Sequence, residues 1–416
     1  MRLTLKQIRR AAFILAFLFL AGWTGFWLGQ KSAGLFFPGS QSGSNLSLLK
    51  KGNEVNLDLF WDVWNRLENS FIDQSKLDSE KMIYGAIEGM VASLGDPYTS
   101  FLPPEENQRS LQDLAGSFGG VGIQLGFLES GLAVIAPLSQ TPAEEAGIKA
   151  GDLILKIDDQ ETLAMSLPQA VNLIRGEEGT QVSLILKRES IKEPFEVKVT
   201  RGEILVKSVE VDFLNDWCGQ SKCPLVTHLK LIRFGDRTNE EWSEAVALIK
   251  KKCPVESSDC RGIILDLRNN PGGYLASSVF IASEFLPSGT VAQEEDSSGR
   301  RQPFLVNRQG SLLKHSLVVL VDQGSASASE IVAGALKENQ RAAVIGEATF
   351  GKGSIQDLQD LRGGGGLYIT TNRWLLPGGQ SVENQGLEPD YLVENDPDRP
   401  EEDNQLQKAI EILSSL

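Results

Sequence analysis

The chain has 416 residues, which is long enough for two or three domains with cores of their own. Its 40 lysines and arginines face 55 aspartates and glutamates, so the net charge is −15, and the acidic residues are spread along the chain. This charge disfavours nucleic acid and anionic lipid as binding partners. No cluster of cysteines and histidines resembles a catalytic metal site, and we predict neither a metal nor a cofactor.

The N-terminus has the pattern of a membrane anchor. Basic residues from Arg2 to Arg10 precede a charge-free run of 19 residues, Ala11 to Gly29. At about 1.5 Å per residue this run approaches the roughly 30 Å hydrocarbon core, and the basic flank keeps the N-terminus in the cytoplasm. We therefore predict a cytoplasmic stub and transmembrane helix over 1–30 and a linker over 31–52. A single-pass protein in the cell membrane would then have its body in the periplasm or cell exterior. Cleavage as a signal peptide remains an alternative.

Residues 53–110 show helical periodicity. Apolar residues recur at spacings of three or four: Leu59, Val63, Leu67, Met82, Ala86 and Met90. Prolines in DPYTSFLPPEE at 96–106 end the helices. We expect a helical N-terminal segment in which every residue has a packing role.

Residues 113–203 contain three segments that together are typical of one small domain. SFGGVGIQL at 117–125 is a glycine-rich turn leading into a strand. TPAEEAGIKAGDLILKIDDQ at 141–160 gives a short helix, a turn and a strand, and LPQAVNLIR at 167–175 gives another helix. The combination resembles a PDZ domain, which captures a peptide C-terminus as an added strand. The resemblance implies a loop whose backbone N–H groups bind the terminal carboxylate: Gly119, Gly120, Val121, Gly122 and Ile123.

The four cysteines form two close pairs, WCGQSKC and CPVESSDC. An oxidising compartment outside the membrane would allow two disulfides. The simplest pairing is local, Cys218–Cys223 and Cys253–Cys260, and links between the two segments remain open. A four-thiolate zinc site is the alternative, although the spacings are looser than in the usual zinc knuckles.

The C-terminal third holds the residues that indicate chemistry. The apolar run at 316–321 predicts a buried strand and IVAGAL at 331–336 predicts a helix, with DQGSASASE reaching from one to the other. A serine at this turn would lie beside the N–H groups of a helix N-terminus, where a nucleophile and an oxyanion site are easily combined. A lysine follows in FGKGSIQ, and a desolvated lysine amine can take the proton of a serine hydroxyl. The pattern predicts a serine–lysine hydrolase and leaves three candidate nucleophiles, Ser325, Ser327 and Ser329.

Together with DLRNNPGG at 266–273, these motifs resemble the C-terminal (tail-specific, carboxyl-terminal) processing peptidases, serine–lysine proteases with a PDZ domain. In that family the middle serine of SASAS is the nucleophile and the lysine lies 25 positions later, which here selects Ser327 and Lys352. The resemblance covers nearly all of the chain after the leader, including the helical segment.

The resemblance implies roles for further residues. Gln356 would orient the lysine, and backbone N–H groups of Ala328 and of the pair Gly272 and Gly273 would form the oxyanion hole. Arg175 would couple the PDZ groove to the active site, as in some relatives, and a solvated arginine at a helix end is the alternative.

For the remaining residues, 204–416, the sequence predicts a core with a mixed-sheet α/β fold, and the PDZ domain is inserted before this core. The resemblance relates the core to the crotonase and Clp protease folds. Strands are expected at 226–233, 262–267, 342–347 and 367–376, a helix near 239–251 and a hairpin turn at 362–365. Since the candidate site residues follow the ends of successive strands, we expect them to meet at one edge of the sheet.

A histidine mechanism has few options, since the chain has only His228 and His315. His315 precedes the 316–321 strand, roughly 20 Å from the serine turn at the strand's other end. His228 lies in an apolar strand run.

The sequence therefore predicts an endopeptidase acting on protein or peptide substrates with free, apolar C-termini. A non-catalytic PDZ scaffold and an esterase or amidase of small substrates are the alternatives. A homo-oligomer is left open.

Overall fold

The computed structural model describes residues 56–128, 131–138, 140–163, 165–218, 223–395, 399 and 402–415. The predicted transmembrane run over 11–29 lies outside them. None of the helices within these ranges is long and apolar enough to cross a membrane.

The chain divides into two compact units, one up to Leu77 and one over Asp78–Leu416. In the first, helix α1 spans Asp58–Ser70 and a 3-10 turn spans Gln74–Lys76. The periodic residues Leu59, Val63 and Leu67 of α1 are exposed.

The second unit opens with α2 (Ser79–Ala92), β1 (Ser100–Leu102) and α3 (Pro104–Ala115). Asp78 caps α2, because its carboxylate accepts two N–H groups of the first turn. A proline starts α3, and Gly116 at φ 69° ends it. The loop between α2 and β1 carries the DPYT sequence.

A six-stranded antiparallel sheet forms the centre of the PDZ-like part. Its strands are β3 (Ile123–Leu128), β4 (Gly131–Pro137), β5 (Leu153–Ile157), β6 (Gln160–Glu161), β7 (Gln181–Lys187) and β8 (Phe195–Thr200). Helices α4 (Pro142–Glu145) and α5 (Leu167–Ile174) accompany this sheet. Strand β3 lies at the edge of the sheet and α5 packs beside it. Strand β2 (Ser117–Gly120) pairs with β9 (Gly202–Leu205) where the chain enters and leaves this part.

A second six-stranded sheet carries the site. In sheet order its strands are β10 (Val209–Leu214), β11 (Leu225–Leu231), β12 (Cys260–Asp266), β15 (Leu317–Val321), β16 (Ala343–Gly346) and β19 (Tyr391–Leu392). The β10–β11 pair is antiparallel and the other pairs are parallel. All five residues of β15 are buried, as expected for a central parallel strand between layers of helices.

Four helices belong to this core: α6 (Thr238–Lys252), α7 (Leu275–Phe285), α8 (Ala328–Glu338) and α9 (Asn404–Ser415). Helices α6, α7 and α8 contribute to the larger apolar core, while α9 contributes Ala409 and Leu413 to a cluster with Val318 and Leu320 of β15. Because successive strand residues point to opposite faces, β15 serves both clusters.

A third sheet contains β1, β13 (Thr290–Glu295), β14 (Arg301–Leu305), β17 (Ser354–Asp360) and β18 (Gly366–Leu375). Strands β17 and β18 form an antiparallel hairpin whose turn includes the predicted 362–365. Since β1 also pairs with β18, the loop before β1 is held close to the loop that precedes β17.

The cysteines form two local disulfides, Cys218–Cys223 and Cys253–Cys260. The first lies between β10 and β11, and the second lies between α6 and β12. A sulfur in a disulfide is not available as a zinc thiolate, so the structure favours the disulfide prediction over the zinc alternative.

Candidate active site

Three loops follow the carboxyl ends of three neighbouring parallel strands. Strand β12 is followed by the turn 267–274, β15 by the turn 322–327 and β16 by the loop 347–353. Parallel strands bring these segments to one sheet edge. Backbone hydrogen bonds of 3.0 Å join the first segment to the second and the second to the third. The sequence prediction that the site residues follow successive strands agrees with this arrangement.

The three serines of the turn have different surroundings. Ser325 is buried and its hydroxyl donates to the carbonyl of Leu267 at 2.8 Å, while buried Ser329 donates to the carbonyl of Asn270 at 2.9 Å. Ser327 is only half-buried and takes the N-cap position of α8 with φ 54°. A positive φ is costly for a serine. The hydroxyls of the outer serines therefore donate to backbone carbonyls, whereas that of Ser327 has no such bond among the described residues and its oxygen faces the N–H of Glu330 in a capping box.

The glycine turn packs directly against Ser327. A Cβ on Gly272, which has φ 97°, would lie 2.9 Å from the Cβ of Ser327 and 3.1 Å from the nitrogen of Ala328. A Cβ on Gly273, at φ 136°, would lie 2.1 Å from the carbonyl oxygen of Phe234. Only glycine combines these φ values with such close approach.

The implied oxyanion donors differ in availability. The N–H of Gly272 donates to Oδ1 of Asn270 at 2.9 Å, so it is already engaged. Within the described ranges, the N–H groups of Gly273 and Ala328 donate to no other protein group. Gly272 therefore shapes the turn, while the N–H groups of the other two residues can donate hydrogen bonds to an anion.

Lys352 is half-buried in the loop between β16 and β17. The indole of Trp374 donates to its carbonyl oxygen at 2.8 Å and thereby fixes the backbone. Burial lowers the pKa of the Lys352 amine below its ordinary value of 10.5, while the carboxylates of Glu383, Asp96 and Glu330 oppose that shift. A lowered pKa increases the fraction of neutral amine that can act as a base.

The DPYT loop contributes to the site, and the sequence interpretation missed this. The ring centroid of Tyr98 lies 5.0 Å from Nζ of Lys352. The hydroxyl of Thr99 donates to the carboxylate of Asp96 at 2.6 Å and accepts the N–H of Thr370 at 3.0 Å, which attaches the loop to β18. The expectation for residues 53–110 named packing alone and did not include a contact with Lys352. Only the pairing of β1 with β18 reveals this proximity.

Gln356 lies on β17, and its side-chain amide donates to Ser354 at 2.8 Å and Thr370 at 3.1 Å. Among the described residues, no hydrogen bond joins the Ser327 hydroxyl, the Lys352 amine and the Gln356 side chain to one another. Ser327 and Lys352 thus lie on neighbouring loops, and Gln356 lies on the strand that follows the lysine loop.

Arg175 follows α5 directly. Its guanidinium lies 4.0 Å from the ring centroid of Phe118 on β2 and 3.6 Å from the carboxylate of Asp113 on α3. The residue is therefore a contact between the PDZ-like part and α3 rather than a free helix-end charge.

Both histidines have structural partners. His228 on β11 pairs with buried Asp266 at 2.9 Å, and Nε2 of His315 lies 3.0 Å from the carbonyl oxygen of Cys253. His315 also lies at the end of β15 opposite the serine turn, as expected. Among the described residues, neither imidazole is hydrogen-bonded to Ser327 or Lys352.

Three family models match the sequence. Residues 226–393 match peptidase family S41, 134–188 match the PDZ domain and 30–106 match the N-terminal domain of the activating protease CtpB. A solved structure titled as an S41 protease from Bacteroides fragilis has a TM-score of 0.55 and 18% sequence identity, over 88% of this chain and 99% of the other. That likeness supports the fold.

Two named relatives match most of the length of the chain. A carboxy-terminal-processing protease of Bartonella bacilliformis is 35% identical over 80% of this chain and 74% of its own length. A carboxyl-terminal-processing protease of Synechocystis is also 35% identical, over 94% of this chain and 88% of its own length. The chain therefore belongs to the carboxyl-terminal processing peptidases, serine proteases of family S41.

Proposed function

We propose that this chain is a membrane-anchored, extracytoplasmic endopeptidase that cleaves proteins near their C-termini through an acyl-enzyme on Ser327. The observation that carries the proposal is the presented hydroxyl of Ser327 beside the unengaged amides of Gly273 and Ala328. The half-buried amine of Lys352 lies on the adjoining loop.

The chemistry follows from these groups. The neutral amine of Lys352 takes the proton of the Ser327 hydroxyl as the oxygen attacks the peptide carbonyl carbon. The amides of Gly273 and Ala328 stabilise the resulting oxyanion, a contribution worth about 10²–10³ in rate per donor. The ammonium then protonates the leaving amine, and water attacks the ester to restore the serine. Gln356 holds the lysine in this cycle. The proton transfer requires the amine of Lys352 to come within hydrogen-bond distance of the Ser327 hydroxyl.

We assign substrate capture to the PDZ-like part. The carbonyls of Val121 and Gly122 accept the N–H groups of Ala143 at 2.8 Å and Leu138 at 2.9 Å. In a trans peptide the N–H points away from the preceding carbonyl, so the amides of Gly122 and Ile123 face the other side. Beside them, β3 lies at the edge of the sheet and α5 packs next to it, the arrangement in which a PDZ domain adds a strand that ends in a carboxylate.

The location follows from two features. The basic, then apolar, run up to Gly29 supports a single-pass anchor with the body outside. The two disulfides suit an oxidising compartment. Mass spectrometry of the exported protein under non-reducing conditions should find no alkylatable thiol, and four alkylated cysteines would contradict the assignment.

The central experiment incubates the protein with an unfolded substrate and maps the cuts by mass spectrometry. Ser327→Ala and Lys352→Ala should each abolish cleavage and keep the fold, because each removes a covalent or proton-transfer role. One of the two exposed serines of the β13–β14 turn supplies a matched control, Ser298→Ala, which should retain activity. Full activity of Ser327→Ala would disprove the assignment. Turnover of simple esters with no turnover of peptides would favour the small-substrate alternative.

Capture is tested with two peptides of one sequence, one with a free C-terminus and one amidated. The amidated peptide should be cleaved more slowly because it lacks the carboxylate that the loop binds. Equal rates would show that the domain does not recognise C-termini. Gly122 is unsuitable as a test position, since a Cβ there would lie 2.4 Å from Thr141 and disturb the loop itself.

A further inference from the structure

The buried carboxylate of Glu330 joins the serine turn to the lysine loop. Glu330 lies in the first turn of α8 and its side chain has no solvent exposure. Its Oε2 accepts the N–H of Ser327 at 2.7 Å and the N–H of Lys352 at 3.0 Å. A single oxygen atom thus holds the backbone of both residues of the proposed dyad.

The second oxygen extends the same connection. Oε1 accepts the N–H of Gly351 at 2.7 Å and the hydroxyl of Thr349 at 2.5 Å. Thr349 in turn accepts the N–H of Leu387 at 2.6 Å. Four donors therefore converge on one carboxylate, which satisfies a buried charge as such sites require.

These bonds oppose the strain of the turn. Ser327 has φ 54° and ψ −113°, a conformation that a serine keeps only when its surroundings enforce it. The bond from its own N–H to Glu330, which closes within the first turn of α8, is such a constraint. Because the same carboxylate oxygen also accepts the N–H of Lys352, the backbones of the two residues are fixed relative to each other.

The carboxylate also acts on the lysine by its charge. Charged or titratable groups around Lys352 are Glu330, Glu383 and Asp96 with the ring of Tyr98. Each of the three carboxylates favours the ammonium form, against burial, which favours the amine.

We propose that Glu330 is a positioning residue of the peptidase reaction, which fixes Ser327 and Lys352 relative to each other. This inference rests on the proposed dyad. It assigns Glu330 no contact with substrate.

Two substitutions separate the positioning effect of Glu330 from the effect of its charge. For each variant of the 416-residue chain, kcat, KM and the pH dependence of kcat/KM are measured on one peptide. Glu330→Asp keeps the charge but withdraws the carboxylate by about 1.5 Å, the length of one carbon–carbon bond. Because a misplacement of about 1 Å can cost roughly 100-fold in rate, kcat should fall at least about 10-fold with little change in KM. The acid limb of the pH profile should stay in place.

Glu330→Gln removes the charge and keeps the size. Loss of a carboxylate near Lys352 lowers the pKa of the amine, so the acid limb should move to lower pH. A residue that merely supports folding would lower stability without moving that limb. The control is Glu284→Gln, which changes a buried carboxylate that pairs with Arg308 and lies outside the site. It should destabilise the protein and leave the limb unchanged.

The outcomes are distinct. Wild-type kcat in Glu330→Asp would overturn the positioning role, and an unmoved acid limb in Glu330→Gln would overturn the electrostatic role. If the glutamine variant does not fold, the aspartate variant still decides the positioning role. Activity in Ser327→Ala would instead refute the dyad on which this inference depends.

Discussion

Replacing Gly272 by alanine tests whether the geometry of the glycine turn sets the rate. The added Cβ would lie 2.8 Å from the carbonyl oxygen of Ala326 and 2.9 Å from the Cβ of Ser327. Ordinary contacts of a Cβ begin near 3.4 Å. Ser327 must therefore move away by about half an ångström or more, and the hydrogen bond from the N–H of residue 272 to Asn270 is strained.

The magnitude follows from two separate terms. Alanine at φ 97° costs stability of about 1–2 kcal/mol through backbone strain. A shift of about half an ångström at Ser327 should lower kcat/KM by about 10- to 100-fold, because about 1 Å costs roughly 100-fold. That loss corresponds to about 1.4–2.7 kcal/mol of transition-state stabilisation.

Gly363 in the β17–β18 turn provides the matched control. It has φ 85° and no atom within 4 Å of an added Cβ, so Gly363→Ala carries the strain without the contact. Gly272→Ala should lose at least as much thermal stability as Gly363→Ala, and only Gly272→Ala should lose activity, measured on one peptide well below either melting temperature. A kcat/KM within twofold of wild type in Gly272→Ala would refute the reasoning.

Three further predictions concern the lysine, the tyrosine beside it and the ion pair before the glycine turn. Burial lowers the pKa of Lys352, so activity should rise with pH as the amine loses its proton, and Lys352→Arg, which stays charged, should be inactive at every pH. Tyr98→Phe should keep kcat and Tyr98→Ala should lower it, since the ring covers the amine; equal kcat values would exclude a role for the ring. Burial raises the pKa of Asp266, but hydrogen bonds from His228 and Arg268 outweigh it and hold that pKa well below its ordinary range. This stabilisation is present above about pH 4 and is lost as pH falls through the lowered pKa of Asp266. In denaturant titrations, Arg268→Ala should therefore lower the free energy of unfolding by about 3 kcal/mol near neutral pH and by progressively less in acid.

The strands and helices that carry the site were predictable because their signals are local. The unbroken apolar run before the serine turn predicts a buried strand, and the glycines and prolines around it mark its turns. The observed β15 and α8 begin and end within a few residues of the expected bounds. The cysteine pairs were similarly readable, because a loop of a few residues favours its own closure.

The groups that contact each site residue could not be predicted from its neighbours in the sequence. Ser327 stands out among three serines in the structure because the hydroxyls of the other two are held by carbonyls of the 267–270 turn, nearly 60 residues earlier in the chain. Sequence alone selected it by resemblance. In the same way, the engaged N–H of Gly272 is visible only once the side chain of Asn270 has a position.

What the sequence by itself determined is the class of chemistry: a serine on a strand-to-helix turn, a lysine at a fixed distance along the chain and a glycine turn before them. What only the tertiary structure decided is the environment of those groups. Tyr98 reaches Lys352 because β1 pairs with β18 across more than 250 residues, and Glu330 joins two loops because one buried oxygen accepts from both. Hydrogen bonds and burial depend on distance in space, and chain spacing constrains that distance only within a helix, a strand or a tight turn.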